Sequence, residues 1–120
     1  MPFSLTDVYP FELDNGLSLL VREDHSVPVV TSMIWYRVGS RVERPGETGV
    51  SHFIEHMMFK GTGRFKKGEI DSITAAGGGF NNAFTSHDYT AYYFGFASDR
   101  WEIVLEIEAD RMSRLVIDPE

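Results

Sequence analysis

Gly49-Val50-Ser51-His52-Phe53-Ile54-Glu55-His56-Met57-Met58-Phe59-Lys60-Gly61-Thr62 sets apolar side chains at Val50, Phe53, Ile54, Met57 and Met58, at i, i+3, i+4, i+7 and i+8. That period predicts an amphipathic helix over Val50 to Lys60, stopped by Gly61-Thr62-Gly63. The same run holds His52, Glu55 and His56 in the pattern HxxEH. At about 100° per residue, these three fall within an arc of about 100°, centred almost opposite the apolar stripe. One face is therefore expected to join the core, leaving the other free for chemistry. Two His four residues apart can hold one metal ion through their imidazoles, and a Glu just before the second can lean over a metal-bound water, a spacing that fits zinc. Shuffling this composition yields the pattern about 0.01 times per chain, so chance explains it poorly. The plain alternative is a helix that shows two His and a Glu to solvent. Against it, Phe59 rims the arc and glycines flank the run at Gly49 and Gly61.

Upstream, Asn15-Gly16 is a strong hairpin signal, between apolar runs Phe11 to Leu13 and Leu17 to Arg22. Val29 to Val38, rich in Val, Ile, Trp and Tyr, reads as a strand apolar on both faces, as in a central sheet position. Downstream, a shorter helix is expected over Lys67 to Ala76, before Gly77-Gly78-Gly79. Phe80 to Thr85 and Tyr89 to Phe96 read as paired strands turning at Ser86 to Asp88. Asp99 and Glu102 form a capping box for a last helix reaching about Leu115. Strands, helices, strands, helix: the class is α+β, a mixed or antiparallel sheet packed against helices, with HxxEH on a helix. Asp118-Pro119 would open one more helix at the end of the chain.

Composition removes several kinds of function. With 11 Lys plus Arg against 18 Asp plus Glu, the net charge is −7, which disfavours nucleic acid and anionic membranes as partners. There are no cysteines, so disulfide scaffolds, thiol nucleophiles and thiolate zinc sites are excluded, and a metal must sit on His, Asp or Glu. At 42% hydrophobic and 24% charged, the chain is composed like a folded domain. No basic-then-apolar leader and no stretch of eighteen apolar residues is visible, so the cytoplasm is the expected compartment.

The motif and its flanks resemble the pitrilysin/insulinase family of zinc metallopeptidases, the inverted-motif zincins. The residues that carry the resemblance run in family order. They are Val38-Gly39-Ser40-Arg41, the HxxEH run, Met58-Phe59-Lys60-Gly61-Thr62, Gly77-Gly78 through Asn82-Ala83-Phe84-Thr85-Ser86, Tyr92-Tyr93 and Glu108-Ala109-Asp110-Arg111-Met112, so the likeness spans about residues 10 to 120. The resemblance implies that His52 and His56 ligate Zn2+, one ion per site, and that Glu55 is the general base of peptide-bond hydrolysis. It implies a third ligand, a Glu roughly seventy-five residues past the second His, at about positions 131 to 133, beyond this sequence. It also implies that residues 1–120 are the N-terminal portion of a catalytic domain, truncated at its C-terminus, which pairs with a second, similar half or subunit. Asn82, Ala83 and Phe84 would then lie on an edge strand to which extended peptide substrate adds, with loose side-chain specificity.

Other residues admit plainer readings. On the last helix Trp101, Val104, Leu105, Met112 and Leu115 share a stripe, and Glu108 falls on it, so Glu108 needs a partner in Arg111 or a His, or acts behind the metal ligands. Glu106 and Asp110 are expected on a solvated face, and Lys60, Arg64, Lys66 and Lys67 in a solvated loop. His87-Asp88 and His25 are read as exposed turn residues. Tyr92 and Tyr93 should point to opposite sheet faces, so at most one lines a cleft. A zinc endopeptidase is the leading function. The alternatives are a non-catalytic structural or partner subunit of the same fold, which usually lacks an intact motif, and a metal hydrolase of non-peptide bonds. The 120 residues alone, with two His and no third ligand, are expected to bind zinc weakly and hydrolyse nothing.

Overall fold

A computed structural model describes residues 7–117; the helix expected to open at Asp118 lies outside them. The chain begins with a separate antiparallel hairpin, β1 (Val8–Glu12) and β2 (Ser18–Arg22), which starts earlier than expected and turns at Asn15-Gly16. Asn15 Oδ1 accepts the Leu17 N–H at 3.0 Å and closes the turn. Next come β3 (Val29–Tyr36), α1 (Val50–Met57), α2 (Glu69–Ala76), β4 (Phe80–Thr85), β5 (Thr90–Ala97) and α3 (Glu102–Arg114). The class is α+β, with the HxxEH motif on a helix. Among the described residues, no helix is long and apolar enough to cross a membrane.

The main sheet is antiparallel in the order β3-β5-β4. This corrects the central position expected for β3. β3 alternates between exposed and half-buried side chains, whereas β5 is buried at all but Tyr93 and Ala97, and so takes the middle. One face of β5, with Phe94 and Phe96, meets Ile70 of α2 and Val104 and Ile107 of α3, and Phe65 completes this core. Tyr92 is buried on this same face, whereas Tyr93 is half-buried on the opposite one, where Met33, Trp35, Phe80 and Phe84 stay exposed.

α3 departs from its expected form in three ways. It begins at Glu102 after Trp101, whose indole packs against the core; no side chain caps it, and Asp99 lies outside the helix beside Arg100. Its buried face is Val104, Ile107, Glu108 and Arg111, while Leu105 and Met112 are exposed. The rotation follows from Arg111. Its guanidinium lies 4.8 Å from the Tyr92 ring centroid, 5.2 Å from Phe59 and 5.3 Å from Phe94, so a cation fills a core position through stacking. Glu108 is its ion-pair partner, as anticipated, and burial pushes the Glu108 carboxyl up against the pull of that guanidinium. Asp110 is buried rather than solvated. It accepts bonds from the Thr62 hydroxyl and from the Arg64 N–H, which hold its carboxyl below the usual range and tie the loop after α1 to α3. Glu106 is exposed, as expected, and pairs with Arg64 at 2.9 Å.

Candidate metal centre

α1 starts at Gly49, whose φ of +92° suits a residue without a side chain. No neighbour supplies a local side-chain cap. Instead Glu43, in the preceding loop, accepts the N–H groups of Gly49 at 2.9 Å and Ser51 at 3.0 Å. A carboxylate at a helix N-terminus answers both the unpaired donors and the helix dipole. These bonds, that of Ser51 foremost, hold the Glu43 carboxyl below its ordinary value. The helix ends three residues earlier than expected, at Met57, and a turn carries the chain on to Lys60.

The apolar stripe of α1 is only partly covered. Met58 is buried and Ile54 and Met57 are half-buried, but Val50 and Phe53 remain exposed, against the expectation that this whole face joins the core. The other arc behaves as its spacing demands. His52, Glu55 and His56 each bring a ligand atom to within 4.8 Å of the others, with both His exposed and Glu55 half-buried. His52 Nε2 and His56 Nε2 lie 2.9 Å apart.

The donor set fits a zinc ion. Tetrahedral bonds of about 2.0–2.1 Å to two imidazoles would separate the nitrogens by about 3.3 Å, a small rotation of either ring from the present spacing.

Glu55 is held from the sheet. The Thr85 hydroxyl, at the end of β4, donates to Glu55 Oε2 at 2.5 Å. Thr85 follows Asn81 and Ala83 on the strand face that turns toward the helices, and α1 packs over β4, so strand alternation delivers a hydroxyl to the carboxylate. A cleft of about 590 Å³ opens here, lined by His52, Glu55, Ala83, Phe84, Thr85 and His87 among others. Ala83 and Phe84 thus share the cleft with the motif. Asn82 stands on the same strand but not in the lining, and its Oδ1 accepts the Ala83 N–H at 2.8 Å. The edge of β4 away from β5 pairs with no other strand among the described residues.

Sequence reasoning missed three contributors. Glu43 lies six residues before Gly49 and fits no capping spacing, so nothing local marks it. Thr85 could be found from period-two alternation once α1 is known to cover that strand face. His87 is exposed in the turn, as expected, but its ring is held by a partner that its spacing does not reveal. Its Nδ1 lies 2.9 Å from Ser40 Oγ, and the turn that carries it is bonded to the segment after β3.

The chain belongs to the insulinase family, peptidase family M16, whose model matches residues 18–120. It is 38% identical over 104 residues to the zinc protease PqqE of Helicobacter pylori, covering 86% of this chain and 23% of that protein. It is 33% identical over 109 residues to the insulin-degrading enzyme of Homo sapiens, covering 90% of this chain and 10% of that one. A crystal structure of a protease from Helicobacter pylori superposes with a TM-score of 0.89 at 34% identity, over 93% of this chain and 27% of that one. The periplasmic protease PqqL from Escherichia coli gives 0.88 at 26% identity, over 98% of this chain and 14% of that one. The chain therefore spans about a quarter or less of the relatives it matches.

Proposed function

We propose that this chain is the N-terminal portion of the catalytic half of a zinc-dependent endopeptidase, which hydrolyses bonds in peptides or unfolded segments. The convergence of His52, Glu55 and His56 on one open helix face carries this reading. Family membership and the zinc-protease names of relatives support it. His52 and His56 would hold the ion, completed by a carboxylate from outside these residues. When bound, zinc supplies Lewis acidity, making a water a stronger acid and polarising the carbonyl under attack.

The chain's own groups do the rest. Glu55 takes the water's proton on Oε1, while Oε2 stays bonded to the Thr85 hydroxyl, and then delivers that proton to the leaving amine. The open edge of β4 offers backbone N–H and C=O groups to an extended peptide, with Asn82, Ala83 and Phe84 beside it. The Phe84 ring, 37% exposed and edge-on to Trp35 at 5.7 Å, gives a substrate side chain an apolar surface. Phe53 and Trp35, 58% and 52% exposed, belong to apolar faces that the rest of a longer protein, including a second similar half, would cover.

Glu55→Gln in the complete protein tests the reading. It keeps the side chain's shape and removes the base, so chelator-sensitive peptide hydrolysis should fall by about 10²–10⁴. Undiminished hydrolysis would overturn the role given to Glu55.

A further inference from the structure

The turn between β4 and β5 is fastened to the segment that follows β3. The Ser40 N–H donates to the Ser86 carbonyl at 3.1 Å and the Arg41 N–H to the His87 carbonyl at 2.8 Å. The Arg41 guanidinium holds the Asp88 carboxylate at 2.5 Å. Gly39 is buried so tightly beneath the turn that a Cβ there would lie 2.3 Å from the Ser86 oxygen. On this fixed frame the His87 ring is oriented by its bond to Ser40 Oγ, and both residues line the cleft that contains His52 and Glu55.

From this geometry we infer that His87 is a specificity-determining residue, which presents an N–H donor to the bound peptide and favours a carboxylate side chain about two residues from the scissile bond. The inference deepens the endopeptidase reading and rests on it. We assign the Ser40 hydroxyl as donor to Nδ1 in the 2.9 Å contact between them. The ring proton then sits on Nε2, and a protonated ring presents the same N–H. Arg41, the neighbouring cation, is already paired with Asp88, which leaves His87 to meet an incoming acceptor. A carboxylate gains more from such a donor than an amide of the same shape.

Position follows from strand spacing. Thr85 touches Glu55, so it marks the level of the reacting bond, and His87 is two residues further on. β4 ends at Thr85 and His87 stands in the turn just beyond it, so a peptide laid along β4 at about 3.3 Å per residue meets His87 as it passes the end of the strand, about two residues from that bond.

The test uses the complete, zinc-loaded protein and peptide pairs that differ only in Asp against Asn, two residues to either side of the cleaved bond. The wild type should cleave one Asp peptide about three to ten times faster in kcat/KM than its Asn twin. His87→Ala should bring that ratio to about one. His87→Gln, which keeps an N–H donor, should retain part of the preference, and Ser40→Ala, which frees the ring, should reduce it. Equal ratios in wild type and His87→Ala would overturn the inference, as would a fall shared by both peptides. If the wild type cleaves none of the peptides, the endopeptidase reading fails first, and this inference with it.

Discussion

Replacing Thr85 with Val removes one hydroxyl while keeping a β-branched side chain on the same strand, so it isolates the bond that steadies Glu55. A hydrogen bond to a charged group contributes about 1.5–3 kcal/mol. Glu55 is half-buried, which places this bond near the lower figure. At about 1.4 kcal/mol per factor of ten in rate, kcat should fall about ten- to thirtyfold. The assay is steady-state hydrolysis of a fluorogenic peptide by the complete protein, with the unfolding midpoint measured in parallel. Most of the loss should appear in kcat, because the hydroxyl already bonds to Glu55 and is not free for substrate, and Thr85→Ser should restore it. An unchanged kcat would refute the reasoning, as would a loss fully matched by lower stability.

Further outcomes follow from the same structure. Gly39→Ala drives a methyl group into the Ser86 and His87 carbonyls, so the turn should separate and the Ser40 and Arg41 amides should exchange hydrogen faster; retained protection would contradict the fastening. Glu43 caps α1 with a carboxyl held below its ordinary 4.5, so its contribution is present above that value and is lost as pH falls through the lower folded-state value. Glu43→Gln should therefore lower the denaturant midpoint at pH 7, by a margin that shrinks in acid, and a margin independent of pH would count against the cap. Glu108→Gln leaves Arg111 buried without its counter-charge and should cost about 3–5 kcal/mol by denaturant titration. Glu108→Leu combined with Arg111→Met should recover much of that loss, and an unchanged midpoint in the single variant would deny the pair its role.

The fold class and the order of elements were legible because periodicity is written into the chain. Asn15-Gly16 marks the hairpin, Phe80 to Thr85 form a strand with the expected bounds, and the helical repeat from Val50 gathers the HxxEH side chains on one arc, with His52 and Glu55 lining the open cleft. What escaped depends on contacts distant in sequence. β3 yielded the centre of the sheet because β5 is more completely buried, a competition between strands that neither displays alone. The face of α3 turned on Arg111, a cation whose place in the core depends on three aromatic rings from elsewhere in the chain. At the site, the motif showed which groups could meet an ion, but not that Thr85 holds the base, that Glu43 caps the helix or that Ser40 aims His87. Spacing along one helix is local information, whereas support from a preceding loop or from thirty to fifty residues away exists only once the chain has folded.

Zinc titration calorimetry on the complete protein tests the central claim most directly. One equivalent of zinc should bind tightly to the wild type, and tight binding should vanish in both His52→Ala and His56→Ala. Tight one-to-one binding that survives either substitution would contradict the assignment of these imidazoles as the ligands.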